Sequence, residues 1–104
     1  MVIDPSSLIG QPLRLRRIGE DDHVVLVRDL TSGRIMSKTM AGGTTAWFWT
    51  VTGPYLPPEL QPASGEAETL DEAKACFKSK FGAWLHWAVA QGGDVHWHGG
   101  ATPQ

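Results

Sequence analysis

Residues 69–91 read TLDEAKACFKSKFGAWLHWAVAQ, the one long segment of this chain in which apolar residues recur at helical spacing. On a helical wheel Leu70, Ala73, Phe77, Phe81, Trp84 and Ala88 fall in one stripe, with Leu85 on one flank and Cys76 and Trp87 on the other. A stripe this aromatic has to be buried, so the rest of the chain must form an apolar surface long enough to receive it. Asp71, Glu72, Lys78, Ser79 and His86 lie on the opposite, wet side. Thr69 and Glu72 have the spacing of a capping box, the Thr69 hydroxyl accepting from the Glu72 amide and the carboxylate reaching back to the Thr69 amide. Acids in the first turn suit the helix dipole, and Gly92-Gly93 supplies a left-handed stop. Gly82, on the polar face, costs about 1 kcal/mol relative to alanine and is a soft point.

The preceding chain reads as strands. Residues 13–18 alternate leucine with arginine, residues 23–30 are a β-branched run, and residues 34–40 and 45–52 complete the set. Thr31-Ser32-Gly33 and Gly42-Gly43 read as the turns between the last three. The expected fold is α+β: a four-stranded antiparallel meander with one C-terminal helix, residues 70–91, packed on one face. Asp4-Pro5 and Gln11-Pro12 mark residues 1–12 as an N-terminal arm. Residues 53–68 read as a loop, because four prolines between Gly53 and Gly65 allow neither helix nor sheet to continue. Residues 13–93 are thus one domain, and residues 94–104 a glycine-rich flexible tail that frays beyond Trp97.

With Cys76 as its only cysteine the chain forms no internal disulfide, and its net charge of −2 exerts no global pull on nucleic acid or anionic membrane. The two halves differ, however: residues 1–52 carry six basic and five acidic side chains, residues 53–104 three and six, which leaves room for a local basic face in the first half. No apolar run reaches membrane-spanning length and MVIDPSS lacks the features of a secretory signal, so no membrane is expected and the cytoplasm is the default location.

Two-residue turns at Ser32-Gly33 and Gly42-Gly43 would sort the strand side chains by parity. Val25, Val27, Arg34, Met36, Lys38, Met40, Trp47, Trp49 and Val51 would share one face; Val24, Leu26, Leu30, Ile35, Ala46 and Phe48 the other. Both faces are apolar and only one helix is available, so one face is left for something else. The favoured arrangement places Trp47 and Trp49 under the helix, with Arg34 and Lys38 snorkelling to the rim. Leu26, Leu30, Ile35 and Phe48 then form an interaction face for a protein partner or a second copy of the chain, giving a non-catalytic interaction module. The alternative inverts the sheet, leaving Trp47 and Trp49 open between Arg34 and Lys38 as a platform for single-stranded nucleic acid.

A metal-dependent enzyme ranks third. His96 and His98, with Asp94 and His86, are ordinary zinc ligands, but their spacing matches no closed tetrahedral motif and no metal or cofactor is expected. Cys76 and His86 lie roughly 15 Å apart along one helix, too far to act as nucleophile and base, so Cys76 reads as a small apolar residue at the core edge. Ala41-Gly42-Gly43-Thr44 lacks the lysine and following helix of a phosphate loop.

Trp47-x-Trp49, followed by Gly65-x-Ala67-x-Thr69-x-Asp71-Glu72-Ala73-Lys74, Phe77 and Trp84, resembles a group of small bacterial and phage proteins with a W-x-W strand ahead of a G-x-A-x-S/T-x-x-E-A-K helix. That resemblance implies no particular activity. The β-β-β-α order is also similar to double-stranded-RNA-binding-like and HicB-like antitoxin folds, although Asp71 and Glu72 stand where an RNA-binding domain of that type carries basic residues. The capping motif makes a first prediction. Thr69→Ala should lower stability by about 1 kcal/mol in urea unfolding.

Overall fold

The structure, a computed structural model, describes residues 1–98. Its strands are β1 (Val2–Ile3), β2 (Leu13–Gly19), β3 (Asp22–Val27), β4 (Leu30–Thr39), β5 (Thr45–Val51), β6 (Ser64–Ala67) and β7 (Val95–His96), with one α-helix among the described residues, α1 (Leu70–Gln91), and short 3-10 turns at Pro5–Leu8 and Pro58–Leu60. The expected α+β class is correct and the strand count is not. Strands β2 to β6 form a five-stranded antiparallel sheet in sequence order, while β1 pairs with β7 as a separate two-stranded ribbon. The additional strand of the large sheet, β6, lies inside the segment read as a loop, where Trp49 pairs with Gly65 and Trp47 with Ala67. Gly65 is what admits it, because a β-carbon there would crowd the Trp49 indole.

Helix α1 starts at the expected cap. The Glu72 amide donates to Thr69 Oγ1 at 3.1 Å. The return contact differs from a capping box, for it is the Thr69 hydroxyl, not the amide, that reaches Glu72 Oε1, at 3.4 Å. Gly92, at φ 75°, ends the helix. Ala73, Phe77, Phe81, Trp84 and Ala88 are all buried, as the stripe requires, whereas Cys76 is exposed and not at the core edge.

The sheet sorts its residues differently from simple counting, and for two local reasons. The β3–β4 turn is at Arg28-Asp29 rather than Ser32-Gly33, with Arg28 in the left-handed region at φ 55°. An extra residue, Ser32, then interrupts the β3–β4 ladder, so that Val24 pairs with Arg34 and His23 with Ile35. Ser32 is fully buried and its hydroxyl donates to the Val25 carbonyl at 2.9 Å, which satisfies the bulge internally. Were Ser32 paired in a regular ladder instead, Arg34 would fall opposite His23 and point at the helix. The β4–β5 connection is likewise longer than a Gly-Gly turn, since Thr39 pairs with Thr45 across a loop containing Gly42 and Gly43 at positive φ. The two departures cancel for β5 relative to β3: Trp47, Trp49 and Val51 share the helix side with Val25. They reverse β4, whose Ile35 faces the helix while Arg34, Met36 and Lys38 face away.

The core therefore unites Val25, Val27, Leu30, Ile35, Trp49 and Val51 of the sheet with the helix stripe. Phe77 lies directly over Gly33, where an added β-carbon would collide with its ring and with the Thr50 carbonyl. The N-terminal arm and the start of the segment read as a flexible tail contribute as well. Leu8 is buried in the core, and Trp97 is only 2% exposed. The Trp97 indole sits edge-on to Phe81 and Trp84, at 6.4 and 5.9 Å between centroids, and its Nε1 donates to the Thr31 carbonyl at 3.2 Å. The portion of the tail beyond residue 98 lies outside the described residues.

These contacts set the expected mutational costs. Phe77→Ala should destabilise by about 3–5 kcal/mol through the cavity it leaves. Gly33→Ala should cost about 1–3 kcal/mol through overpacking beneath the same ring. Urea midpoints for the two single variants, read against the parent, check both.

Candidate functional site

The face turned away from α1 is assembled from alternate residues of all five strands. One row across it reads Arg16, Val24, Arg34, Thr50 and Ser64, and the next reads Asp22, Met36, Phe48 and Glu66. Arg14, Leu26 and Thr31 flank the first row, and Lys38 with Ala46 follows the second. The elements that complete the core, namely the helix, Leu8, Leu56 and Trp97, belong to the cluster on the opposite side. Leu26 is buried yet stands outside that cluster, and Val24, Met36 and Phe48 are half-buried. The result is an apolar strip crossed at its middle by the Arg34–Asp22 pair, with Arg14, Arg16 and Lys38 at its margins.

Those cations are held in specific ways. Arg14 reaches along β3 to donate to the Arg28 carbonyl at 2.9 Å. Arg34 grips Asp22 with two parallel bonds, its Nε donating to Oδ1 at 2.9 Å and its terminal nitrogen to Oδ2. This hydrogen-bonded pairing holds the Asp22 carboxyl below the usual carboxylate range and raises the Arg34 guanidinium above its own. Lys38 lies over the Phe48 ring with its Nζ 5.7 Å from the centroid, within cation–π range. With Arg14, Arg16, Arg34 and Lys38 against Asp22 and Glu66, four positive side chains meet two negative ones on this face.

The residues singled out from the sequence are thus redistributed. Leu26 and Phe48 lie on the uncovered face, while Leu30 and Ile35, expected beside them, are core residues beneath the helix. Arg34 and Lys38 are on the uncovered face, but Trp47 and Trp49 are on the other; Trp49 is 7% exposed, and Trp47 packs against the core at 6.4 Å from the His23 ring. The sheet itself separates the cations from the tryptophans, so those four residues do not form one stacking platform. Arg14, Arg16 and Met36 join the face only through the true register, and the Leu-Arg alternation of β2 was the signal for the two arginines.

His96 and His98 approach to 5.7 Å between ring centroids, and no group of three His, Cys, Asp or Glu side chains gathers into a metal-binding arrangement among the described residues. Cys76 and His86 are both exposed. No helix among the described residues is long and apolar enough to cross a membrane. No protein-family profile, curated protein or solved structure matches the chain.

The Asp22–Arg34 pair predicts a pH response. Because the folded carboxyl titrates below its unfolded value, its contribution to stability is complete above the unfolded pKa and is lost as pH falls through the folded one. Asp22→Asn should therefore flatten the loss of stability between about pH 5 and pH 2. Both partners are partly solvated, so the difference should shrink in high salt. Urea titrations of parent and variant at several pH values measure it.

Proposed function

We propose that this chain is a non-catalytic binding module whose uncovered sheet face takes an acidic protein partner. The observation that carries the reading is the apolar strip Leu26, Val24, Met36 and Phe48, set among Arg14, Arg16, Arg34 and Lys38 on the side of the sheet away from the helix. Apolar side chains edged by cations, with a mutually neutralised ion pair among them, suit a protein-binding surface, with Phe48 the natural anchor and Arg14 and Arg16 at the margin. The excess of positive charge selects a partner with carboxylates around its own apolar patch. A second copy docked face to face would set arginines against arginines, which argues for a foreign partner over a homodimer. Single-stranded nucleic acid finds cations here but one aromatic ring, Phe48, rather than the series of rings on which successive bases stack.

An NMR titration distinguishes these surfaces. A synthetic amphipathic peptide with glutamates flanking leucine and phenylalanine should shift the resonances of Leu26, Met36 and Phe48, more weakly as salt is added. Phe48→Ser, which leaves the core intact, should reduce affinity by about tenfold or more. An oligothymidylate that bound more tightly than the peptide at the same residues would assign the face to nucleic acid instead. Shifts confined to the helix side would remove the face from consideration.

A further inference from the structure

Helix α1 packs chiefly on β5, on β6 and on the segment that carries Leu8, and leaves Leu13 and Leu15 of the edge strand β2 only partly covered. A cleft of about 550 Å³ opens there, with Leu13 and Leu15 of β2 as its floor, Phe77 and Phe81 as its helix wall and Leu8 at its end. Its size falls within the range of small-molecule sites. Leu13 and Leu15 remain half-buried although their cross-strand partners Val27 and Val25 are fully buried, because the space above them is unfilled.

The charge on this lining is of one sign. Lys74 and Lys78, one helical turn apart, are its only charged side chains among the described residues, none of whose carboxylates lines the cleft. Lys78 has no hydrogen-bond or ion-pair partner among the described residues, and Lys74 touches only the 95% exposed Asp71, at 3.9 Å. Gly82 stands on the same wall, and a β-carbon there would meet nothing within 4 Å. A second, shallower hollow lined by Ile9, His86 and Val89 shares Gly82 and Leu85 with the cleft. An apolar cleft with two lysines on its helix wall is complementary to a molecule with an apolar body and an anionic head.

We propose that the cleft between α1 and β2 binds a small amphiphilic carboxylate, its apolar body along Leu13, Leu15, Phe77 and Phe81 and its carboxylate at Lys74 and Lys78. This site lies on the opposite side of the sheet from the face assigned to a protein partner and is independent of it. The two lysines act as point charges on flexible stems, so they select for charge and not for a particular planar head.

Decanoate and decanol, added below their aggregation limits to the full chain, test the site by NMR. Decanoate should give saturable shifts at Leu13, Leu15, Lys78 and Gly82, and bind about threefold tighter than decanol in low salt, with the gap closing as salt is raised. Gly82→Leu should abolish the shifts while keeping or raising the melting temperature, since its β-carbon enters open space beside the cleft and the change removes a glycine from a helix interior. The Lys74→Glu, Lys78→Glu double variant should reverse the preference toward decanol. Absence of saturable shifts, shifts centred on Phe48, equal affinity for the two probes, or undiminished binding by Gly82→Leu would each overturn the proposal.

Discussion

Phe77 rests on Gly33 so closely that no β-carbon fits beneath it, and the position of the whole helix follows from that contact. Along the same stripe Phe77 stacks on Phe81 at 6.3 Å, and Phe81 meets Trp84 at 5.4 Å, so one aromatic ladder runs down the helix with its first buried ring seated in a gap in β4. The gap adjoins the Ser32 bulge, which turns Ile35 toward the helix and Arg34 away from it. A single inserted residue therefore decides both where the helix docks and which charges are left on the outer face. Trp49 over Gly65 and Trp97 against Gly53 repeat the device at the sheet margin, a large ring on a residue with no side chain. Close approach of this kind increases dispersion contact and leaves little tolerance for added volume.

The helix was legible because its signals are local: a threonine cap, a stripe of constant period and a Gly-Gly stop act within a turn or two of one another. Register was not, because it depends on turn positions that several dipeptides could supply. Ser32-Gly33 looks like a turn, yet the chain turns at Arg28-Asp29 and uses Ser32-Gly33 for a bulge and a seat for Phe77. The tryptophan side was still placed correctly, since two parity changes offset each other, while β4 was reversed and with it Leu30, Ile35, Arg34 and Lys38. Strand β6 was hidden because Ser64-Gly65-Glu66-Ala67 has little intrinsic preference for extended structure; its pairing is set by the ring of Trp49. Trp97 gave no periodic signal at all, being a lone aromatic residue in a glycine-rich segment.

The two surfaces that result differ in kind. On one side of the sheet a shallow, mixed strip has its charges partly committed, as Asp22 holds Arg34 and Phe48 lies under Lys38. On the other, the cleft beside the helix is concave and mostly apolar, with Lys74 and Lys78 on its helix wall. Shape separates them as well: a nearly flat patch suits the extended surface of a macromolecule, and a trough suits something small enough to be largely enclosed. One sheet can present both because its strands alternate, so the arginines of β2 project outward from between the same leucines that floor the cleft.

Trp97 also bears on the order in which this domain takes shape on the ribosome. Strand β1 emerges first and waits through the whole of the sheet and helix for its partner β7, and the indole that completes the contacts of Phe81 and Trp84 arrives after both. Until then the Gly53 corner is unfilled, and the aromatic ladder is open to water along one flank. During the short interval in which the residues between Trp84 and Trp97 are added, that flank is therefore available to chaperones or to neighbouring nascent chains, and docking of one late tryptophan withdraws it.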